Sequence, residues 1–135
     1  MSKSNTAENA VLAVMYEATA LPWNANTKLW AALYTSDPGE GGSANTNECA
    51  FGGYARVEVD RATGFDLSGN TISNTAQISF PECTSGSETV THCAFVTTAS
   101  GAGTILHSGA LSASRSVSSG ITLQFPASTF TVTED

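Results

Sequence analysis

Short apolar segments alternate with turn-forming residues along most of this chain of 135 residues. The clearest segment is Lys28–Tyr34, after which Asp37-Pro38-Gly39 predicts a turn, since proline presets φ and glycine supplies conformational freedom. Further strands are predicted over 54–59, in a hairpin over 65–74, and over 77–80, 90–96, 104–107, 121–125 and 130–133. Short strands at this spacing are typical of a β-sandwich or barrel. We therefore predict a mainly β protein, an antiparallel, jelly-roll-like β-sandwich over 28–133.

One short helix is predicted before the first strand. Its apolar residues follow the i, i+3, i+4, i+7 spacing of one helix face: Val11, Leu12, Val14, Met15 and Ala18. Asn5 and Glu8 have the spacing of a capping box, and Pro22 disfavours helical geometry in the residue before it, so the helix is predicted over 5–19. Because so short a helix is marginal alone, its apolar stripe must pack on the chain's own sheet or on a neighbouring subunit.

The composition fits one domain over 1–135 and argues against several classes of function. The net charge is −7, with only five basic residues: Lys3, Lys28, Arg56, Arg61 and Arg115. They form no basic stripe, so we expect no direct binding to nucleic acid. The longest apolar run is far shorter than the roughly 20 residues of a membrane-spanning helix. The polar N-terminus does not resemble a secretory signal, so we expect no membrane partner and synthesis in a cytoplasm.

No motif in the chain predicts catalysis. There is no Gly-x-Ser-x-Gly turn, no calcium loop and no phosphate or dinucleotide fingerprint. His92 and Cys93 are adjacent on a predicted strand, so their side chains point to opposite faces and form no dyad. The carboxylates lie mostly in or beside loops, and nothing singles out a pair for glycoside hydrolysis. We expect no enzyme activity, no metal ion and no cofactor.

The three cysteines, Cys49, Cys83 and Cys93, lack the close pairing of zinc ligands. Three alternatives stay open: buried or semi-exposed thiols, one internal disulfide beside a free thiol, and disulfides between subunits. In a particle that leaves a reducing cytoplasm, bonds between subunits would form late and lock the assembly.

From about Leu12 to Asp135, a series of short blocks follows one order. The blocks are Leu-Trp-Ala-Ala-Leu-Tyr-Thr-Ser-Asp-Pro at 29–38, Glu48 followed by Gly52-Gly53-Tyr54-Ala55-Arg56, Ile-Ser-Asn-Thr-Ala-Gln-Ile-Ser-Phe-Pro at 72–81, Thr89-Val90-Thr91-His92, Gly109-Ala110-Leu111, Phe125-Pro126-Ala127 and Thr131-Val132-Thr133. In this order they resemble the small tail-fibre-like or decoration-type virion structural proteins of tailed bacteriophages. Ser87-Glu88 stands where that family commonly has Trp-Gly, and the three cysteines are not part of its pattern.

The resemblance implies a structural component of a virion, made in the host cytoplasm. It would bind other virion proteins and form a homo-oligomer, with a trimer favoured. A capsid decoration protein that cements the particle is the first expectation, because the chain has no heptads and no repeat of the kind that long fibres show. A tail or neck fibre with a role in host binding is the alternative. A carbohydrate-binding or hydrolytic module is less expected.

Four residues are the candidates for contact with a partner. Trp23, at the exit of the predicted helix, is the aromatic side chain most expected to be exposed, although core packing is the favoured account of it. Tyr54 and Arg56 alternate onto one strand face and are expected to anchor an interface. Glu48 is the acidic residue of the matched block and belongs to the loop 40–49, which is expected to make contacts between subunits.

Overall fold

One short helix and ten strands make up the regular structure of residues 1–134, the part of the chain that the computed structural model describes. In chain order they are β1 (Ser2–Lys3), α1 (Asn5–Glu17), β2 (Lys28–Tyr34), β3 (Val57–Asp60), β4 (Phe65–Ser68), β5 (Thr71–Asn74), β6 (Ile78–Ser79), β7 (Ser87–Val96), β8 (Ile105–Ser118), β9 (Gln124–Phe125) and β10 (Thr131–Thr133).

The strands form three antiparallel sheets. The largest has five strands in the order β1-β8-β7-β2-β3, the second has three in the order β10-β5-β4, and β6 pairs with β9. Each pairing within them is antiparallel. The prediction of a mainly β fold with antiparallel sheets and one short helix is therefore confirmed.

An aromatic cluster joins the large sheet to the smaller ones. Phe95 on β7 meets Phe65 of β4 with ring centroids 5.0 Å apart, and it meets Phe130, just before β10, at 4.1 Å. Phe130 also contacts Phe125 of β9 at 4.7 Å. Edge-to-face and tilted pairs of this kind stabilise a core beyond the area that they bury. The smaller sheets thus cover one face of the large sheet, in the layered arrangement of a sandwich.

The central strand β2 is buried on both of its faces, which explains its nearly continuous apolar sequence. Ala31 and Leu33 belong to the aromatic core, whereas Ala32 and Tyr34 belong to a second apolar cluster on the opposite face. The loop after β2 covers this second face, since buried Ala44 of the loop belongs to the same cluster. The Tyr34 hydroxyl donates a 2.8 Å hydrogen bond to the carbonyl of Ala44. The long loop is therefore part of the folded core.

The helix α1 differs from the prediction at both ends. Ser4, rather than Asn5, is its N-cap: the Ser4 hydroxyl accepts from the N–H of Ala7 at 3.2 Å and donates to the carbonyl of Ile105 in β8. The helix ends at Glu17, two residues before the predicted end, because Ala18 adopts a left-handed conformation with φ of 53°. Within residues 1–134, no helix is long and apolar enough to cross a membrane.

Two strands also differ in length from the prediction. The strand expected from Tyr54 begins only at Val57, because Gly53 has a φ of 87° and the N–H of Tyr54 closes a turn onto Phe51. In contrast, β8 continues eleven residues beyond the predicted end at 107, to Ser118. Its register against β7 jumps near Thr91, where a bulge is accommodated.

Candidate interaction surfaces

Three of the four predicted contact residues form one internal polar cluster. The guanidinium of Arg56 binds the carboxylate of Glu48 in a two-pronged arrangement, with Nε–Oε1 at 2.7 Å and Nη2–Oε2 at 2.8 Å. The Tyr54 hydroxyl donates to the same carboxylate at 2.8 Å and accepts from the N–H of Leu33 at 3.1 Å. Such forked pairs fix orientation as well as charge. We call Glu48, Tyr54 and Arg56 the loop clip.

The loop clip connects the long loop to the turn between β7 and β8. Arg56 Nη1 donates to the carbonyl of Thr98 at 2.8 Å and to its hydroxyl at 3.0 Å, and Nη2 donates to the carbonyl of Gly101 at 2.7 Å. The Arg56 side chain is 1% exposed and that of Glu48 is 14% exposed. The clip thus holds two loops together from inside the chain, and Arg56 presents almost no surface to a partner.

The fourth candidate, Trp23, is also buried. Only 8% of its surface is exposed, so the favoured account from the sequence, core packing, describes it and the indole does not protrude. Its carbonyl accepts from Arg61 Nη1 at 3.0 Å, and the same nitrogen binds the carbonyls of Asn24 and Asn26. Arg61 therefore holds the backbone of the segment between α1 and β2 in place.

The three cysteines are free thiols within the folded chain, and all are buried. Cys49 is 3% exposed, Cys83 1% and Cys93 3%. Burial raises the pKa of Cys49 and of Cys93 to about 12, so neither is a thiolate at neutral pH. Of the three sequence-based alternatives, the structure has buried thiols. A disulfide to another subunit would require a cysteine to move to the surface first.

The two histidines occupy structural positions. His92 Nδ1 hydrogen-bonds the hydroxyl of Thr91 at 2.8 Å. His107 contacts the carboxylate of Glu134, which also pairs with Lys3 at 2.9 Å, so this cluster connects β1, β8 and the end of the chain. Burial lowers the pKa of His107. Among residues 1–134, no three His, Cys, Asp or Glu side chains group together in a way that could hold a metal ion.

An open groove of about 460 Å³ lies between β8 and the segment 123–131. Its lining includes the apolar residues Leu111, Phe125 and Phe130, together with Arg115. A groove of this composition can accept a side chain from a neighbouring protein, but it brings together no acid–base pair.

The second half of α1 carries the largest exposed apolar side chains of the helix. Leu12 is 53% exposed, Met15 65% and Tyr16 78%. In contrast, Ala7 near the start of the helix is buried, and every residue from Val14 to Ala20 is exposed. The sequence already contains this signal, because residues 11–17 read Val-Leu-Ala-Val-Met-Tyr-Glu with a single polar residue.

The family of the chain follows from a comparison with known protein families. The model of one family, described as podophage GP4 fiber I protein gp80, matches residues 2–133. The chain belongs to this fibre protein family. No curated protein matches it. Membership in a phage fibre family makes the chain a component of the virion and implies contact with other virion proteins. The predicted resemblance to tail-fibre-like virion proteins is confirmed.

The family match also reorders the two leading expectations from the sequence. Capsid decoration stands first among them and a tail or neck fibre second, yet the family is described as a fibre protein and so favours the second. The argument for decoration depends on missing heptads and repeats. A fibre assembly that uses compact subunits as well as elongated ones needs neither feature in this chain.

Proposed function

We propose that this chain is a structural, non-catalytic subunit of a phage fibre, located at the tail or neck. The family match over residues 2–133 carries the proposal. The subunit would join other virion proteins and so contribute to the attachment of the particle to its host. Capsid decoration ranks below this function, because the matching family is described as a fibre protein.

The packing of the chain suits a rigid connector. Both faces of β2 are buried, and the loop clip holds the loop 40–49 against the β7–β8 turn through the nearly inaccessible guanidinium of Arg56. Loops usually move more than the strands that they connect. A loop fixed by a forked ion pair instead keeps its shape, as a subunit that transmits force between proteins requires.

The chemistry of the accessible surface also suits a structural role. Burial raises the pKa of Cys49 and of Cys93 to about 12, which makes these thiols poor nucleophiles. The loop clip is saturated by internal hydrogen bonds, and in the described residues every buried side-chain nitrogen or oxygen has a partner. Saturation of this kind is what buried polar groups in a stable core normally show.

Locating the chain in the intact particle tests the proposal. A short epitope inserted at Gly69, in the exposed β4–β5 turn, can be labelled with gold-conjugated antibody and imaged on purified phage. We expect label at the tail or neck. Label distributed over the capsid shell would overturn the fibre assignment and restore the decoration hypothesis.

The oligomeric state needs its own measurement. The sequence-based expectation is a homotrimer, and we keep it as part of the proposal because closed symmetric assemblies are the rule for such subunits. Native mass spectrometry of the purified chain should give a mass three times the 13.9 kDa of one chain. A single species at the monomer mass at micromolar concentration would contradict the trimer.

A further inference from the structure

The exposed side of α1 combines three apolar side chains with one carboxylate. Leu12, Met15 and Tyr16 are 53%, 65% and 78% exposed, and they fall within about 100° of the helix circumference. Exposed Glu8 lies inside the same arc, one turn before Leu12, and makes no ion pair in residues 1–134. We call these four residues the helix patch. A helix in water normally presents polar residues on its outer side, so an apolar patch there indicates contact with another chain.

The groove beside β8, which we call the β8 groove, has the complementary composition. Its lining includes apolar Leu111, Phe125 and Phe130 together with Arg115. The other four cations of the chain bind carboxylates or backbone carbonyls, whereas Arg115 makes no ion pair or side-chain hydrogen bond in the part of the chain that the structure describes. The β8 groove therefore offers apolar surface beside a cation that has no partner.

The helix patch and the β8 groove do not meet within one chain. Among the described residues, none of the four in the helix patch lines the groove, and its three apolar side chains stay more than half exposed. Two copies can bring together what one copy leaves apart, because apolar side chains then meet apolar lining and the carboxylate of Glu8 meets the guanidinium of Arg115. The net charge of −7 makes copies repel in most orientations, so one pair of opposite charges selects this orientation.

We infer that the helix patch of one copy docks in the β8 groove of a second copy, with Glu8 against Arg115. Because the two surfaces differ, the contact is head-to-tail, and such a contact closes into a ring when its rotation allows. In a ring each chain uses both surfaces, which offsets the small area that one helix of 13 residues can bury. The inference deepens the proposed function and rests on it, since it gives the proposed homotrimer its interface.

Photo-crosslinking of the purified full-length chain tests where the helix patch docks. The photo-reactive residue p-benzoylphenylalanine replaces Tyr16 in an unlabelled chain, which is mixed at low concentration with ¹⁵N-labelled wild-type chain, concentrated and irradiated. Mass spectrometry then identifies the peptides bound to the probe. We expect pairs that join the probe to ¹⁵N-labelled peptides from residues 110–131, which line the β8 groove. The same probe at Leu67 of β4, which is apolar and 74% exposed, is the matched control and should give few such pairs.

Two outcomes of the cross-linking would overturn the inference. One is a set of cross-links that stay within single chains, which would contain no ¹⁵N-labelled peptide. The other is a cross-link from the Tyr16 probe to a part of the second copy outside the β8 groove.

A charge exchange tests the pairing of Glu8 with Arg115. Glu8→Arg and Arg115→Glu each place like charges opposite one another, and the double variant restores an opposite pair with its signs reversed. We expect each single variant to raise the concentration at which the assembly half dissociates by about tenfold or more, and the double variant to recover most of this loss. Sedimentation velocity measures the dissociation. Glu58→Arg, at an exposed residue of β3, makes the same charge change as Glu8→Arg and should have no effect.

Recovery in the double variant excludes an unfolded helix as the cause of the loss, because the double variant still carries Glu8→Arg. Single variants that behave like Glu58→Arg, or a double variant that dissociates as readily as the weaker single variant, would refute the pairing.

The outcomes separate the inference from the proposed function. A trimer that survives both single variants would overturn this interface and leave the trimer and the fibre function standing. A chain that stays monomeric at micromolar concentration would overturn the trimer and the interface together, whereas gold label at the tail or neck would still support the fibre function. Label on the capsid would overturn the fibre function, and the measurements on the purified chain would still decide the interface.

Discussion

The loop clip offers the sharpest test of how this fold is held together. Arg56→Met removes the guanidinium, keeps a side chain of similar length, and leaves the Glu48 carboxylate in a largely buried position without its cation. The variant also removes the bonds to Thr98 and Gly101 across the β7–β8 turn. Because the forked pair and its backbone contacts disappear together, the loss should exceed that of a single hydrogen bond.

Breaking a buried ion pair by removing one partner costs about 3–5 kcal/mol, and the 14% exposure of Glu48 favours the lower value of about 3 kcal/mol. The entropy of unfolding is about 2.1 cal/mol/K per residue, or about 0.28 kcal/mol/K for 135 residues. The midpoint of thermal unfolding should therefore fall by about 10 °C. Circular dichroism at the β-sheet band, with the protein at neutral pH, measures the shift.

Lys28→Met is the matched control for the loop clip. Lys28 pairs with Asp60 at 3.2 Å, but both side chains are more than a third exposed, so water screens the pair and its loss should leave the midpoint nearly unchanged. A shift of less than about 3 °C for Arg56→Met, or equal shifts for the two variants, would refute the idea that the clip stabilises the loop.

Three further predictions concern other parts of the chain. The three buried thiols should not react with a disulfide reagent at pH 8 in the native protein, whereas all three should react in 6 M guanidinium; fast native labelling would contradict their burial. Burial lowers the pKa of His107, and hydrogen bonds from Lys3 and His107 outweigh burial and lower that of Glu134. Both folded pKa values lie below their unfolded values, so the free energy of unfolding should fall as the pH drops below about 6.5 and again below about 4.5. When the free energy of unfolding is measured against pH, Glu134→Gln should make the second decrease smaller. Asn74→Ala should lower stability by about 3 kcal/mol in urea unfolding, because the N–H of Phe130 and two carbonyls lose their partner, and exposed Asn45→Ala should not.

Local sequence signals are sufficient to predict part of this fold. The strand Lys28–Tyr34 has the predicted bounds, since a nearly continuous apolar run bounded by a turn leaves few alternatives. The hairpin of β4 and β5 likewise follows from Ser68-Gly69-Asn70, where Gly69 has a φ of 62°. These elements depend on residues within a few positions of one another, and no distant contact is needed to define them.

The remaining differences come from contacts between residues that are far apart in sequence. The extension of β8 contains small, polar residues such as Ser112 and Ser114, which have little preference for strands, and pairing with β7 keeps it extended. Arg56 alternates correctly for a strand face, but its burial depends on Glu48 and on the β7–β8 turn, more than 40 positions away. A single sequence contains no local sign that such a cation is internal.

The apolar residues of α1 lie in two different environments in the structure. The sequence allows the apolar residues of α1 to pack on the chain's own sheet or on a neighbour, and the structure divides them: the first half contacts β8 through Ser4, and the second half projects. A chain with so few cations binds most of them to its own carboxylates and carbonyls, so its outer surface stays acidic.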